Sequence, residues 1–390
     1  MADEVVIDAF GARWRLDLDE LDPASAARLT ALWSRARTSR RDEVATFVVT
    51  RDPSRPVDGA SARVPQDPVA LPYAVSRALT LASIARRAGH DLMFHAAGLA
   101  TDEGVAVALV AGSGAGKTTA ALVLGRHLGY LSDETVAVGP DGTVAAYAKP
   151  LSVVDDPALP FAKTEHGPDD LGLRVAPDRP RLGAVVLLDR DPGAGSPELA
   201  RAGLLDALLE VVPHTSSLAL LDRPLQRLAA ALTLGGGPWR LRYAEIADCR
   251  GLLEGLLAPK ARYDEASSTL VAGTDVGPPA AWVGVDPPPG PTVRESEPPT
   301  LTDSSRLVRA PWRDAVSTDD EVVVLADTVP LRLSGIGATL WLAAASPVPL
   351  HRLVAVVRSR HGEHPDARRL VAEAAAALVE GGALLAVGGP

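Results

Sequence analysis

The stretch VAVALVAGSGAGKTTAA, residues 105–121, decides how this chain is read. Residues 105–110 form an unbroken apolar run, long enough for a buried strand and too short for a helix. Residues 111–118 then follow the pattern of a small residue, four residues of any kind, Gly-Lys and Ser or Thr, with Ala111 in the first place. Gly112, Gly114 and Gly116 have no Cβ, so the main-chain N–H groups between them are free to turn inward around an anion. Lys117 adds a point charge, Thr118 a hydroxyl for Mg²⁺, and the helix that follows adds its positive N-terminal end. The pattern points to a nucleoside triphosphate, ATP or GTP, with Mg²⁺. Its contact residues are Gly112, Ser113, Gly114, Ala115, Gly116, Lys117, Thr118 and Thr119. A Gly-rich strand-to-helix turn with a fortuitous lysine is the bland alternative; the strand before, the helix after and the full spacing speak against it.

Around this loop the composition is that of a folded protein, with 47% hydrophobic and 23% charged residues. A length of 390 residues allows two or three domains, each with its own core. The net charge of -10 and pI near 5.3 leave no broad cationic surface for a phosphate backbone, which excludes nucleic acid as the expected partner. Cys249 is the single cysteine, so no internal disulfide or multi-cysteine metal site can form, in keeping with a reducing cytoplasm. The opening MADEVVI is acidic where a secretory signal is basic and then apolar. No uninterrupted apolar run nears the roughly 20 residues that cross a bilayer. The expectation is a cytoplasmic protein with no membrane partner.

Residues 1–90 combine strand-like stretches at 5–18 and 44–50 with helical spacing at 72–88, an N-terminal α+β region. Residues 91–258 alternate the two patterns. Strands are expected at 130–131, 135–138, 143–146, 183–188 and 239–243, and helices at 199–211 and 224–234, on a Rossmann-like α/β core with β additions. Residues 259–305 change character: 277–300 alone hold eight prolines, a composition that resists sheet and helix and reads as a linker. Residues 306–390 form the last unit. Strands are expected at 307–317, 321–326 and 328–333, then helices at 335–345, 350–361 and 365–380, the last stopped by Gly381 and Gly382, in a small α+β arrangement of winged-helix type.

Four segments carry a resemblance: FHAAGLA at 94–100, AGSGAGKTTAALVL at 111–124, GYLSDETVAV at 129–138 and YAKPLSV at 147–153. Together they resemble the HPr serine kinase C-terminal domain and its relatives in clusters that make ribosomal peptide natural products, over residues 90–255. The resemblance implies an α/β P-loop fold of the HPr kinase type. It places His95 at the active site, and Asp133 near Mg²⁺ and as base toward an acceptor hydroxyl. Thr118 is the other metal contact. Glu134 completes an acidic pair where the family usually has a second Asp, and the family's further catalytic acid and arginine have no matching positions. Chemistry alone is consistent with this, because phosphoryl transfer needs a metal ligand, a positioned cation and an orienting carboxylate, and Thr118, Lys117 and Asp133 are of those types. Blander readings stand beside these. Asp133 also reads as a turn cap and His95 as a core histidine. Lys149 reads as a solvated lysine rather than an anion contact, and His214 is open in the same way as His95.

The last unit has its own resemblance, carried by the apolar strand at 322–325, VPLRLS at 329–334, GIGATLW ending in Trp341, and ALVEGGALLAV at 377–387. In that order they resemble PqqD, the peptide chaperone of pyrroloquinoline quinone synthesis, and the related recognition elements of ribosomally synthesised, post-translationally modified peptides (RiPPs). The resemblance implies that a leader peptide adds as a strand to an exposed sheet edge. Leu331 and Leu333 lie on the expected edge strand, and Arg358, Arg368 and Arg369 would meet an acidic leader; a solvated helix face is the other reading of the arginines. DNA binding by a winged helix is disfavoured by the acidic chain.

Joined, these readings give a RiPP biosynthesis protein that holds a precursor's leader with residues 306–390 and phosphorylates a Ser or Thr of the same peptide with Mg-ATP. The alternative is a catalytically silent scaffold that delivers the precursor to other maturation enzymes. A small-molecule kinase regulated by its C-terminal domain is a third.

Overall fold

The computed structural model describes residues 4–52, 54–55, 59–112, 114–154, 163–258, 281–287, 301–326 and 328–387. The chain divides into two compact units, Met1–Leu221 with Ala230–Pro279 and Asp222–Ala229 with Ala280–Pro390. Residues 1–90, expected as a region of their own, thus belong to the unit that carries the phosphate loop. A shared core explains this: Phe10, Trp14, Trp33 and Phe47 are buried in one cluster with Met93, Ala137 and Tyr147. The region itself is a four-stranded sheet, Val6–Ala9, Ala12–Asp17, Val44–Thr50 and Gly59–Arg63 in that order. The helix Leu71–Arg87 buries Leu71, Val75 and Leu79. With the short turn before it, Pro68–Arg87 is the one helix among the described residues long and apolar enough to cross a membrane. Its buried stripe and the Trp14 indole bonded to Ser83 at 2.8 Å are those of a core helix.

The strand Val105–Val110 is buried at every position but the first, which is why it reads as a continuous apolar run instead of an alternation. It sits inside a ten-stranded mixed sheet. On one side it pairs parallel with Arg181–Arg190, which pairs parallel with Trp239–Tyr243, and antiparallel Glu198–Arg201 ends that margin. On the other side it pairs antiparallel with Leu92–Ala100, whose far edge takes Gly129–Ser132 at one end and Thr135–Val138 at the other. Gly98 lies where that edge changes partner, and a Cβ there would fall 2.7 Å from Val136 Cγ2. The helix Lys117–Leu124 packs Ala120, Ala121 and Leu124 on the sheet beside Val107, Leu109 and Val186. The helix expected at 199–211 is instead the edge strand Glu198–Arg201 followed by the helix Leu204–Val211, because Gly203 is extended and ends the strand.

The second unit has a sheet in the order Val283–Gly284, Asp314–Ser317, Glu321–Leu325, Pro330–Ser334. Three helices follow, Gly335–Ala343, Leu350–His361 and Ala367–Glu380, around Trp341, Leu353 and Val371. Val283–Gly284 lies within the stretch expected to be a linker. It falls in a proline-free window that keeps its N–H groups, and it pairs with Val316 and Ser317. Within that stretch, 259–280 and 288–300 lie outside the described residues. The strand expected at 307–317 is two, Arg306–Arg309 and Asp314–Ser317, parted around Pro311. A strand that was not foreseen, Leu384–Val387, returns antiparallel to Arg306–Arg309.

Candidate functional site

The loop after Val110 has the backbone its sequence implies. Gly114 and Gly116 have φ of 79° and 91°, in the left-handed region. A Cβ at Gly114 would meet nothing within 4 Å and one at Gly116 only the Tyr243 hydroxyl at 3.9 Å, so conformation and not space requires glycine. Ser113 lies outside the described residues. Lys117 is buried and donates to the carbonyls of Ala111 at 2.8 Å and Gly112 at 3.0 Å, which sets its ammonium across the start of the loop. Burial draws its pKa below the ordinary lysine value, against the opposing pull of Asp133 and Glu134. Thr118 is half-buried and Thr119 exposed.

The turn between Gly129–Ser132 and Thr135–Val138 brings an acidic pair to the same place. Ser132 Oγ accepts the N–H groups of Glu134 at 3.2 Å and Thr135 at 3.1 Å, which fixes the turn. Asp133 Oδ2 accepts from Thr118 Oγ1 at 3.1 Å, and its Oδ1 accepts from the Tyr130 hydroxyl at 3.2 Å. Lys149 Nζ lies 3.0 Å from Asp133 Oδ1 and 3.5 Å from Glu134 Oε2. Expected as a solvated side chain, Lys149 is in fact 3% exposed. The reason is that Tyr147, Ala148 and Leu151 around it are core residues, so only an ion pair can keep its charge. Burial by itself would lower its pKa, and the charges of Asp133, Glu134 and Glu165 outweigh it and hold it above the ordinary value. Behind this pair Glu165 accepts from Ser76 Oγ at 3.2 Å and from Ser152 Oγ, and burial pushes its carboxyl above the ordinary value.

His95 is half-buried on Leu92–Ala100, in register with Thr135, next to Ala96, whose N–H donates to Glu134 O at 3.1 Å. His214 ends the turn Val212–His214, and the next two residues pair with Phe94 and Met93. Both histidines have pKa values lowered by burial first and by the Lys117 charge second. Thus the P-loop lysine, two carboxylates, a second lysine and two histidines converge from the loop, the turn and the neighbouring strands.

A Mg²⁺ ion held by Thr118 and Asp133 is compatible with this geometry. Ligands at about 2.0–2.1 Å in an octahedron place adjacent oxygens about 2.9 Å apart, and Thr118 Oγ1 and Asp133 Oδ2 are 3.1 Å apart. Among the described residues no group of three or more His, Cys, Asp or Glu is placed to hold a metal.

Among the solved structures that match is the Hpr(Ser) kinase/phosphatase from Coxiella burnetii, with 10% identity over 42% of this chain and 92% of that chain, at a TM-score of 0.25. The match is distant and adds no weight to the geometry above. No protein-family model matches the chain, and no curated protein matches it.

Sequence reasoning named Asp133, Glu134, His95 and the loop. It missed Tyr130 as a hydrogen-bond donor to Asp133, the burial of Lys149, and Glu165. YAKPLSV held a signal for Lys149, since a lone lysine among core residues in a segment close to an acidic pair asks for a partner.

In the second unit, Leu331 is 39% exposed on the margin strand Pro330–Ser334, whereas Leu333 is 7% exposed and part of the core. Two residues apart, they share a sheet face, and only Leu331 reaches past the core, so Leu333 is a packing residue in this unit and not a surface contact. Arg358 and Arg368 line a groove of about 600 Å³ together with Asp303, His351, Glu363 and His364. Arg358 pairs with Glu363 and Arg368 with Asp303. Arg369 does not line the groove, and pairs with Glu373 at 2.9 Å along its own helix.

Proposed function

We propose that the chain binds a nucleoside triphosphate with Mg²⁺ at residues 111–118 and transfers the terminal phosphoryl group to a Ser or Thr hydroxyl of a ribosomal precursor peptide, whose leader is held by the second unit. The observation that carries the nucleotide half is one arrangement: two left-handed glycines, the Lys117 ammonium, and the Thr118 and Asp133 oxygens 3.1 Å apart. Loop N–H groups, the ammonium and the helix N-terminus stabilise phosphate charge, which is most of what phosphoryl transfer asks of a protein. When bound, Mg²⁺ would be held by Thr118 and Asp133 and would neutralise charge on the phosphates. The acceptor oxygen forms a bond to the terminal phosphorus, the bond to the bridging oxygen breaks, and the hydroxyl proton passes to a carboxylate. Asp133 is already engaged by Thr118, Tyr130 and Lys149, whereas the Glu134 side chain is 36% exposed. Glu134 is therefore the carboxylate open to the acceptor in this reading.

The peptide half is supported by the sheet margin at Pro330–Ser334, where the strand has one neighbour among the described residues and an extended peptide can supply another. In the groove, Arg358 and Arg368 would meet an acidic leader by exchanging their present partners Glu363 and Asp303 for it. A second reading, a silent scaffold that delivers the leader to other maturation enzymes, is favoured by the full engagement of Asp133. One experiment separates them. Purified protein with Mg-ATP and its precursor adds phosphate under the first reading, and Lys117→Ala and Asp133→Asn both abolish it. Phosphorylation retained in both variants defeats the assignment. If no phosphate is added, yet other maturation enzymes need this protein and accept Lys117→Ala, the scaffold reading stands.

A further inference from the structure

We propose that Lys149 is the positioning residue of the acidic turn, its ammonium holding Asp133 Oδ1 and Glu134 so that Asp133 Oδ2 stays beside Thr118 where the metal of the bound nucleotide is held. This rests on the nucleotide reading above. An ammonium has three donors, and Lys149 has three oxygens around it: Asp133 Oδ1 at 3.0 Å, Glu134 Oε2 at 3.5 Å and Pro150 O at 2.9 Å. The carboxylate is thereby fixed at both ends. Tyr130 and Lys149 hold Oδ1, and Thr118 meets Oδ2. Rotation of the carboxyl group would break contacts at both oxygens together.

Composition points the same way by an independent route. The chain has 39 lysines and arginines, and only four are lysine: Lys117, Lys149, Lys163 and Lys260. In a chain that otherwise uses arginine for its cations, two of the four lysines are buried within this one site. Lys163 is exposed, and Lys260 lies outside the described residues. Arginine's planar fork needs more room and more acceptors than a compact point charge, so the slot beneath the turn selects lysine. A buried ion pair is poor value for stability alone, because packed apolar residues of similar volume often do as well. Here the partner oxygens are those of the metal-site turn itself, which gives the pair a use beyond stability.

The test separates magnesium from nucleotide. Calorimetric titration of the full chain with ATP in EDTA and then in excess Mg²⁺ measures how far the metal strengthens binding. In Lys149→Met the affinity for metal-free ATP stays within about twofold, while the gain from Mg²⁺ falls by about 10–100-fold, the loss typical when a partner that orients a metal ligand is removed. A purely structural role would weaken both titrations together. An undiminished magnesium gain in the folded variant overturns the proposal. Absence of any ATP binding by the wild type is a different outcome, one that defeats the nucleotide reading and the Lys149 proposal with it. Because Lys149→Met leaves two carboxylates without their cation and risks misfolding, a second measurement keeps the lysine. Lys163→Arg with Lys260→Arg leaves Lys117 and Lys149 as the only lysines for ¹⁵N-lysine NMR. ATP in EDTA should move the Lys117 signal, and Mg²⁺ added to that complex should move the Lys149 signal. A Lys149 signal indifferent to Mg²⁺ overturns the proposal.

Discussion

Lys117 places its charge over the carbonyls of Ala111 and Gly112, where a triphosphate would lie against the loop. Hydrogen bonds to charged groups contribute about 1.5–3 kcal/mol, so Lys117→Ala should weaken ATP binding by about 10–100-fold, read as the dissociation constant in excess Mg²⁺. His95 makes a pH prediction. Its folded pKa lies below 6.5, so the unfolded chain takes up the proton first on acidification. Its neutral form therefore contributes fully above pH 6.5, and that contribution is lost as pH falls through the lowered folded value. His214 acts in the same direction. His95→Gln should flatten the fall in denaturant midpoint between about pH 7.5 and about pH 5.5, a slope that an unshifted histidine would leave unchanged.

Two elements meet at the site, the helix Lys117–Leu124 and the strand Gly129–Ser132. The helix depends on Gly116 at φ 91°, where a side chain costs about 1–2 kcal/mol of backbone strain. Gly116→Ala should accordingly lose nucleotide binding out of proportion to its small loss of melting temperature. The strand depends on Gly129, whose Cβ would fall 2.5 Å from Ala176 Cα. Gly129→Ala should destabilise the first unit by about 1–3 kcal/mol through forced displacement of backbone, measured by denaturant unfolding. The strand Val44–Thr50 was legible to the residue from its β-branched and aromatic residues, and the helix Leu350–His361 from its apolar spacing. Leu384–Val387 was not, since four apolar residues after a glycine pair show neither period. Gly203 concealed a strand within what read as one helix. The acidic turn was legible from Asp133 and Glu134, yet the ammonium beneath it was not: Lys149 lies 16 residues beyond Asp133, and its side chain meets the turn only once the strands have folded.

Across the whole chain, proline density signals a change of character after residue 258, and 259–280 lie outside the described residues. The core shared by Phe10, Met93 and Tyr147 shows no mark in composition, so the first region read as separate. The segment Asp222–Ala229 belongs with the second unit, far from it in sequence. Gln226 there donates its backbone N–H to Asp314 Oδ2 at 2.9 Å and its side-chain amide to Oδ1 at 2.7 Å. Asp314 is fully buried, and burial raises its pKa. Gln226→Ala should cost the second unit about 1–3 kcal/mol by removing a donor from a buried acid, seen as a lower unfolding midpoint. The most direct test of function is calorimetry of the intact chain with Mg-ATP and Mg-GTP, beside its melting temperature. Nucleotide binding at the loop predicts heat and a raised melting temperature for at least one of the two, both much reduced in Lys117→Ala. No heat and no thermal protection from either nucleotide would contradict it.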